Sequence, residues 1–292
     1  MSEFDPSLLS SLYKPASDSH KGQNGKVMLI AGSKLFHAAS IWPLTVMSRM
    51  CDMVFYASTS ENNELVSKMK EQFLNGIVIP REKIDDYMKE ADCVLIGPGL
   101  TRTEEKLKPT EDYDLRNLSE LDEIEHDGIQ TYYLTKYLLK KYSDKKWVID
   151  GGSLQMMKPE WLLGMVQTPI ISPHKGEFIR IFDIDANEQT VAEMANKYKI
   201  VILSKGETDI ISNRSETVTV KGGNAGMTKG GTGDVLAGLV ASLYAKNDAY
   251  LSACAASYIN KKAGENLEKS MGIYFNASDL ASEIPKVMKD LL

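Results

Sequence analysis

The chain of 292 residues is 43% hydrophobic and 25% charged, with a formal net charge of −6, which argues against wholesale disorder and gives no sign of nucleic acid or an anionic membrane as partner. No uncharged apolar run approaches the roughly 18 residues that span a bilayer, and the start Met-Ser-Glu-Phe-Asp-Pro carries neither a basic nor an apolar leader. A cytoplasmic protein is therefore expected, and the separated Cys51, Cys93 and Cys254 read as buried free thiols. The length suits a single α/β domain over residues 1–292, and no repeat or boundary interrupts it.

In chain order, short apolar runs predict strands at 27–31, 53–58, 76–79, 93–96, 147–149, 168–171, 200–203, 209–212 and 217–220. Helical patterns at 38–50, 62–73 and 127–142 fall between them, an alternation that argues for βαβ units around a mostly parallel sheet. Segment 101–127 holds ten acidic and four basic residues and reads as a solvated insertion, loop or exposed helix. The last two strands, joined by Asn213-Arg214-Ser215-Glu216, read as a hairpin. Beyond them the chain is expected to be helical to its end.

Ligands of open α/β sheets sit at the carboxyl ends of the strands. Gly32-Ser33, Gly97-Pro98-Gly99, Asp150-Gly151-Gly152, Ser172-Pro173-His174-Lys175-Gly176-Glu177 and Lys205-Gly206 each follow a predicted strand, which makes one shared cleft the expectation. Separately, each has a plainer reading: Gly and Pro punctuate turns, Ser172 and Glu177 can cap a helix, and Lys205 can reach solvent past an apolar strand.

The segment Gly222 to Asp234 leads into the apolar helical pattern 235–245. Glycines let backbone N–H groups turn toward an anion, and a helix beginning at Gly233 or Asp234 adds the positive end of its dipole. An aspartate repels a bound phosphate unless it takes a proton from an attacking hydroxyl, which points to phosphoryl transfer. The plainer reading is a tight connection with Asp234 as helix cap. The chain has no Walker loop, Gly-x-Gly-x-x-Gly fingerprint, zinc spacing or Gly-x-Ser-x-Gly elbow.

Six motifs in order carry a resemblance: Lys21-Gly22 with Gly25-Lys26, Gly32-Ser33 with His37-Ala38-Ala39, Gly97-Pro98-Gly99, Ser172 to Glu177, Lys205-Gly206, and Gly230-Gly231-Thr232-Gly233-Asp234. From about residue 20 onward the chain resembles the ADP- or ATP-dependent NAD(P)H-hydrate dehydratases of the ribokinase-like superfamily. The resemblance implies a three-layer α/β/α fold with a mostly parallel central sheet, and a metabolite-repair hydro-lyase that restores NADH or NADPH from the S form of its hydrate. It also implies ADP or ATP as co-substrate, Mg²⁺ and a homo-oligomer, expected to be a tetramer. Asp234, with Gly231, Thr232 and Gly233, falls at the catalytic positions, and Ala39, Gly99, His174 and Asp234 at those for the hydrated dinucleotide. Lys205, Gly206, Glu207, Thr208, Asp209 and Gly233 fall at those for the nucleotide, and Glu177 is assigned to the metal through water. Ala38, Ser172 and Gly152 depart from the usual pattern, and the roughly 20 residues before the match leave no room for the N-terminal epimerase domain of many members, since a domain needs at least about 50 residues. A ribokinase-like vitamin-precursor kinase and a catalytically silent nucleotide-binding regulator are the alternatives.

Overall fold

Ten strands, β1 (Ser2–Glu3), β2 (Lys26–Ile30), β3 (Met53–Ala57), β4 (Ile77–Val78), β5 (Cys93–Ile96), β6 (Lys146–Ile149), β7 (Ile170–Ile171), β8 (Val201–Ser204), β9 (Asp209–Ser212) and β10 (Thr217–Val220), form one sheet in the order β1-β10-β9-β8-β7-β6-β5-β2-β3-β4. The structure is a computed structural model and describes residues 2–69, 75–103 and 107–292. From β4 across to β8 every pairing is parallel, while β9 runs antiparallel to both β8 and β10. The mostly parallel sheet and the 209–220 hairpin are as expected. Edge strand β1, which pairs parallel with β10, is too short to carry a signal in sequence.

The helices are α1 (Ala38–Met50), α2 (Ser60–Lys68), α3 (Ile84–Met88), α4 (Asp127–Lys141), α5 (Gly151–Met156), α6 (Lys175–Phe182), α7 (Glu188–Tyr198), α8 (Thr232–Lys246), α9 (Ala249–Met271) and α10 (Ala277–Leu291). Alternate residues of each central strand face opposite layers, as a period of two requires. Val27 and Leu29 join the core against α1, α8, α9 and α10, whereas Met28 and Ile30 join a second core against α3, α4, α6 and α7. Strands covered on both faces read as continuous apolar runs, which is why composition alone finds them. Part of the helix expected at 62–73 lies outside the described residues; its described part begins earlier, at Ser60, behind the N-cap Thr59.

Two readings need correction. Segment 101–127 is not simply solvated: where described, it is mainly loop with a 3-10 helix at Leu118–Glu123, and Leu115, Leu118 and Leu121 are buried in the second core. Its Glu120 is buried as well, because Tyr113 Oη, Arg116 N and Arg116 Nε donate to its carboxylate. Acidic count concealed this leucine spacing. Of the three thiols, Cys93 and Cys254 are buried as expected, but Cys51 is half-buried. No helix of the described residues is long and apolar enough to cross a membrane.

Candidate active site

The carboxyl ends of β8, β7, β6, β5 and β2 lie side by side, and hydrogen bonds join the segments that follow them. Lys205 N donates to Pro173 O at 2.8 Å, Ser172 Oγ to Asp150 Oδ1 at 2.9 Å, Gly152 N to Gly97 O at 3.0 Å, and Gly32 N to Pro98 O at 2.7 Å. The five separate sequence signals therefore meet along one rim, the place where a parallel sheet leaves room for a ligand. Gly152 is held to glycine by its packing in this chain: any side chain there would run into the Leu100 carbonyl.

Across this rim stands the N-terminus of α8. Its N-cap is Gly231, with φ 93° and ψ −18°, and no side chain caps the helix. The helix thus starts slightly earlier than expected, and Asp234 lies inside its first turn instead of capping it. Only glycine fits at 231, because a methyl group would strike the Trp42 ring and come within 2.8 Å of the Ala277 Cβ. The uncapped start leaves N–H groups and the positive dipole end free to meet an anion. Gly231→Ala is expected to cost about 1–3 kcal/mol of stability from overpacking, with further strain from the left-handed backbone, and to weaken nucleotide binding. Denaturant titration and calorimetry on the same variant measure both. The helix is held in place from behind, where Gly238 packs against Pro43 of α1.

Four ionisable groups face one another here. Lys205 Nζ donates to Asp150 Oδ1 at 2.7 Å, with the two side chains 17% and 3% exposed. Desolvation alone would lower the Lys205 ammonium, but Asp150, Glu177 and Asp234 hold it above the ordinary lysine value. The Asp234 carboxyl is pushed up to about 8, first by desolvation and then by Asp150 and Glu177, with Lys205 opposing. A carboxylate so destabilised is a good proton acceptor. The Lys205 ammonium also lies next to Gly233, 3.6 Å from where a Cβ on that residue would stand.

His174 is the N-cap of α6, and its Nδ1 accepts from Gly176 N at 3.0 Å and Glu177 N at 3.3 Å. Glu177 Oε2 accepts in return from His174 N at 2.9 Å, completing a capping box, while its Oε1 accepts from Gln155 Nε2 at 2.9 Å. The capping reading of Glu177 is thus correct. Ser172 does not cap; it holds Asp150. With Nδ1 accepting, Nε2 is the nitrogen left as a donor, and it lies 3.7 Å from Glu177 Oε2. Both Glu177 oxygens are engaged, and no group of three or more His, Cys, Asp or Glu among the described residues could hold a metal ion. The described residues therefore offer no cation site made of protein side chains alone.

A cleft of about 940 Å³ runs from His174, Lys205 and Gly233 past Gly206, Glu207, Thr208 and Asp209 to Gly222, Gly223 and Asn224. Asp209 also supports the turn that forms it. Its Oδ1 accepts from Gly206 N at 2.8 Å and its Oδ2 from Ser257 Oγ at 2.7 Å. Desolvation raises its carboxyl despite Lys261 nearby. Lys261, which sequence reading missed, is buried in α9, and its Nζ donates to the carbonyls of Gly206 and Glu207 at 3.1 and 2.9 Å. It lies inside a long helix with no local motif, so only the packing of α9 under the 205–209 turn reveals it. Asp150 is legible as a strand-end residue, but its pairing with Lys205 requires the fold.

The remaining candidates, Ala39 and Gly99, are not among the residues lining this cleft. Ala39 Cβ lies 2.8 Å from where a Cβ on Gly99 would stand, so these two residues, 60 positions apart, touch. Pro43 of α1 has no N–H to close the usual bond onto the Ala39 carbonyl.

A mostly parallel sheet covered on both faces, with an uncapped glycine-led helix start and a carboxylate in its first turn beside the strand ends, defines the class of α/β protein. The fold matches that of a ribokinase-like superfamily protein from Enterococcus faecalis, with TM-score 0.81 at 20% identity over 99% of this chain and 96% of that one. The family model described as NAD(P)H-hydrate dehydratase matches residues 27–286, and the chain belongs to that family. It is 34% identical to the bifunctional NAD(P)H-hydrate repair enzyme Nnr of Methanocaldococcus jannaschii, over 96% of this chain and 51% of that protein. It is also 34% identical to the ADP-dependent (S)-NAD(P)H-hydrate dehydratase of Nitrosopumilus maritimus, over 94% of this chain and 91% of that protein. The chain therefore spans about half the length of the bifunctional relatives it matches and nearly all of the shorter one.

Proposed function

We propose that residues 1–292 act as one unit that dehydrates the S form of hydrated NADH or NADPH at the expense of an adenine nucleotide, ADP as in the Nitrosopumilus relative. The observation that carries the reading is Asp234, a desolvated, destabilised carboxylate set within the first turn of an uncapped helix and close enough to Lys205 to feel its charge. Asp234 accepts the proton of the ring hydroxyl as that oxygen attacks the terminal phosphorus, and the nucleotide leaves one phosphate shorter. N–H groups from Gly231 to Gly233 and the Lys205 ammonium stabilise the charge on the phosphoryl oxygens. The ring nitrogen lone pair then expels inorganic phosphate as the C–O bond breaks, and loss of a proton from the adjacent carbon restores the double bond. Ala39, Gly99 and His174 hold the dinucleotide; Lys205 to Asp209 and Gly233 hold the nucleotide.

Mg²⁺, when bound, neutralises phosphate charge. With no all-protein cage among the described residues, it would be held chiefly by the nucleotide phosphates, with Glu177 contributing through water. The test combines purified protein, chemically hydrated NADH, Mg²⁺ and ADP or ATP. Recovery of NADH absorbance with one phosphate released per molecule is expected. A stable phosphorylated product would replace this reading by a kinase, and tight nucleotide binding without turnover by a silent regulator. Light scattering on the same preparation tests the tetramer.

A further inference from the structure

The cleft lining also has an apolar part. Leu236, one turn into α8 from Gly233, and Met227 line the cleft together with Asn260 of α9. Asn260 is only 4% exposed, yet its Oδ1 has no hydrogen-bond partner among the described residues. A buried amide oxygen without a donor is costly, and native structures leave few such atoms. Two neighbours from other parts of the chain are already committed. Met227 is wedged against Gly264, one helical turn from Asn260, and Asn224 Nδ2 spends its donor on the Gly264 carbonyl at 2.8 Å.

The missing partner is a ligand group. A flat heterocycle suits an apolar slot with one carboxamide, and the carboxamide offers one acceptor beside one donor. Adenine presents the complement, an N6–H donor beside the N7 acceptor, whereas hypoxanthine and guanine present two acceptors on that edge. The phosphates of the same nucleotide then point toward Gly233 and Lys205, where the cations and free N–H groups lie.

We infer that Asn260 reads the N6/N7 edge of the nucleotide's base and makes the cleft selective for adenine over 6-oxopurines. The inference rests on the nucleotide reading of the cleft, but not on the dehydratase chemistry. Its test is therefore direct binding by calorimetry, with Mg²⁺ and ADP, IDP or GDP and no hydrated dinucleotide. The wild type is expected to bind ADP tighter than IDP or GDP by on the order of tenfold or more, the discrimination of one bidentate pair. Asn260→Leu keeps the volume and removes the orphaned amide, so it is expected to melt no lower than the wild type without ligand, to weaken ADP, and to bind all three nucleotides alike. Equal wild-type affinities, or an Asn260→Leu variant that keeps the full adenine preference, would overturn the inference while leaving the proposed reaction standing. Failure of every nucleotide to bind would overturn both.

Discussion

Replacing Asp234 by asparagine is expected to lower kcat by on the order of 10²–10⁴, the usual worth of a positioned general base, while ADP binds at least as tightly. The amide keeps the side chain's shape and removes a negative charge that faces the phosphates. Single-turnover kinetics and calorimetry on one preparation separate the two effects. Near-normal turnover in Asp234→Asn would remove the base from the mechanism. The pH profile gives a second readout. Desolvation, with Asp150 and Glu177, pushes the Asp234 carboxyl up to about 8, and only the ionised form accepts a proton. In the wild type kcat/KM should therefore rise about tenfold per pH unit below 8 and level off above it. The asparagine variant should lose that limb.

The same carboxyl couples activity to stability in the opposite sense. Its folded pKa lies above the unfolded value of about 3.9, so between pH 4 and 8 the folded state binds the extra proton and stability falls as pH rises through that window. Above pH 8 the full cost, of order 5 kcal/mol, is present. Asp234→Asn is accordingly expected to be more stable than the wild type at pH 8.5 and nearly equal to it at pH 4. Urea unfolding at the two pH values measures the difference. The site gives up stability for a reactive base, a common trade at catalytic positions.

Lys205→Met is expected to destabilise the fold by about 3–5 kcal/mol, because it strips the nearly inaccessible Asp150 of its cation and leaves only the Ser172 hydroxyl as partner. The double variant Lys205→Met, Asp150→Asn should recover much of that loss, since no buried charge is then left alone. Nucleotide affinity should behave differently. Lys205 loses a charge-assisted bond to phosphate in both variants, so ADP should bind at least about tenfold weaker in each. Recovery of stability without recovery of affinity separates the two roles of this lysine. If affinity returned with stability, Lys205 would be only a structural partner of Asp150.

Most strands were legible because a strand covered on both faces is a continuous apolar run, and 93–96 and 209–212 match the observed elements residue for residue. The functional loops were legible because glycine and proline mark strand ends and a Gly-rich turn before a helix has a physical purpose. Edge strand β1 was not legible, since two paired residues leave no periodicity. Nor were the leucines of 115–121, which an acidic composition masked, or Lys261, whose three carbonyl partners come from distant turns.

By itself the sequence determined the alternating α/β order, the glycine loop with Asp234 behind it and the family resemblance, because these depend on local spacing and backbone freedom. Tertiary structure decided the chemistry's setting. It brought Asp150 to Lys205 across 55 positions, made Glu177 a capping partner of His174, raised the Asp234 carboxyl and left Asn260 without a partner. Desolvation and charge pairing are properties of an enclosed volume, and a volume exists only once the strand ends have been folded onto one rim.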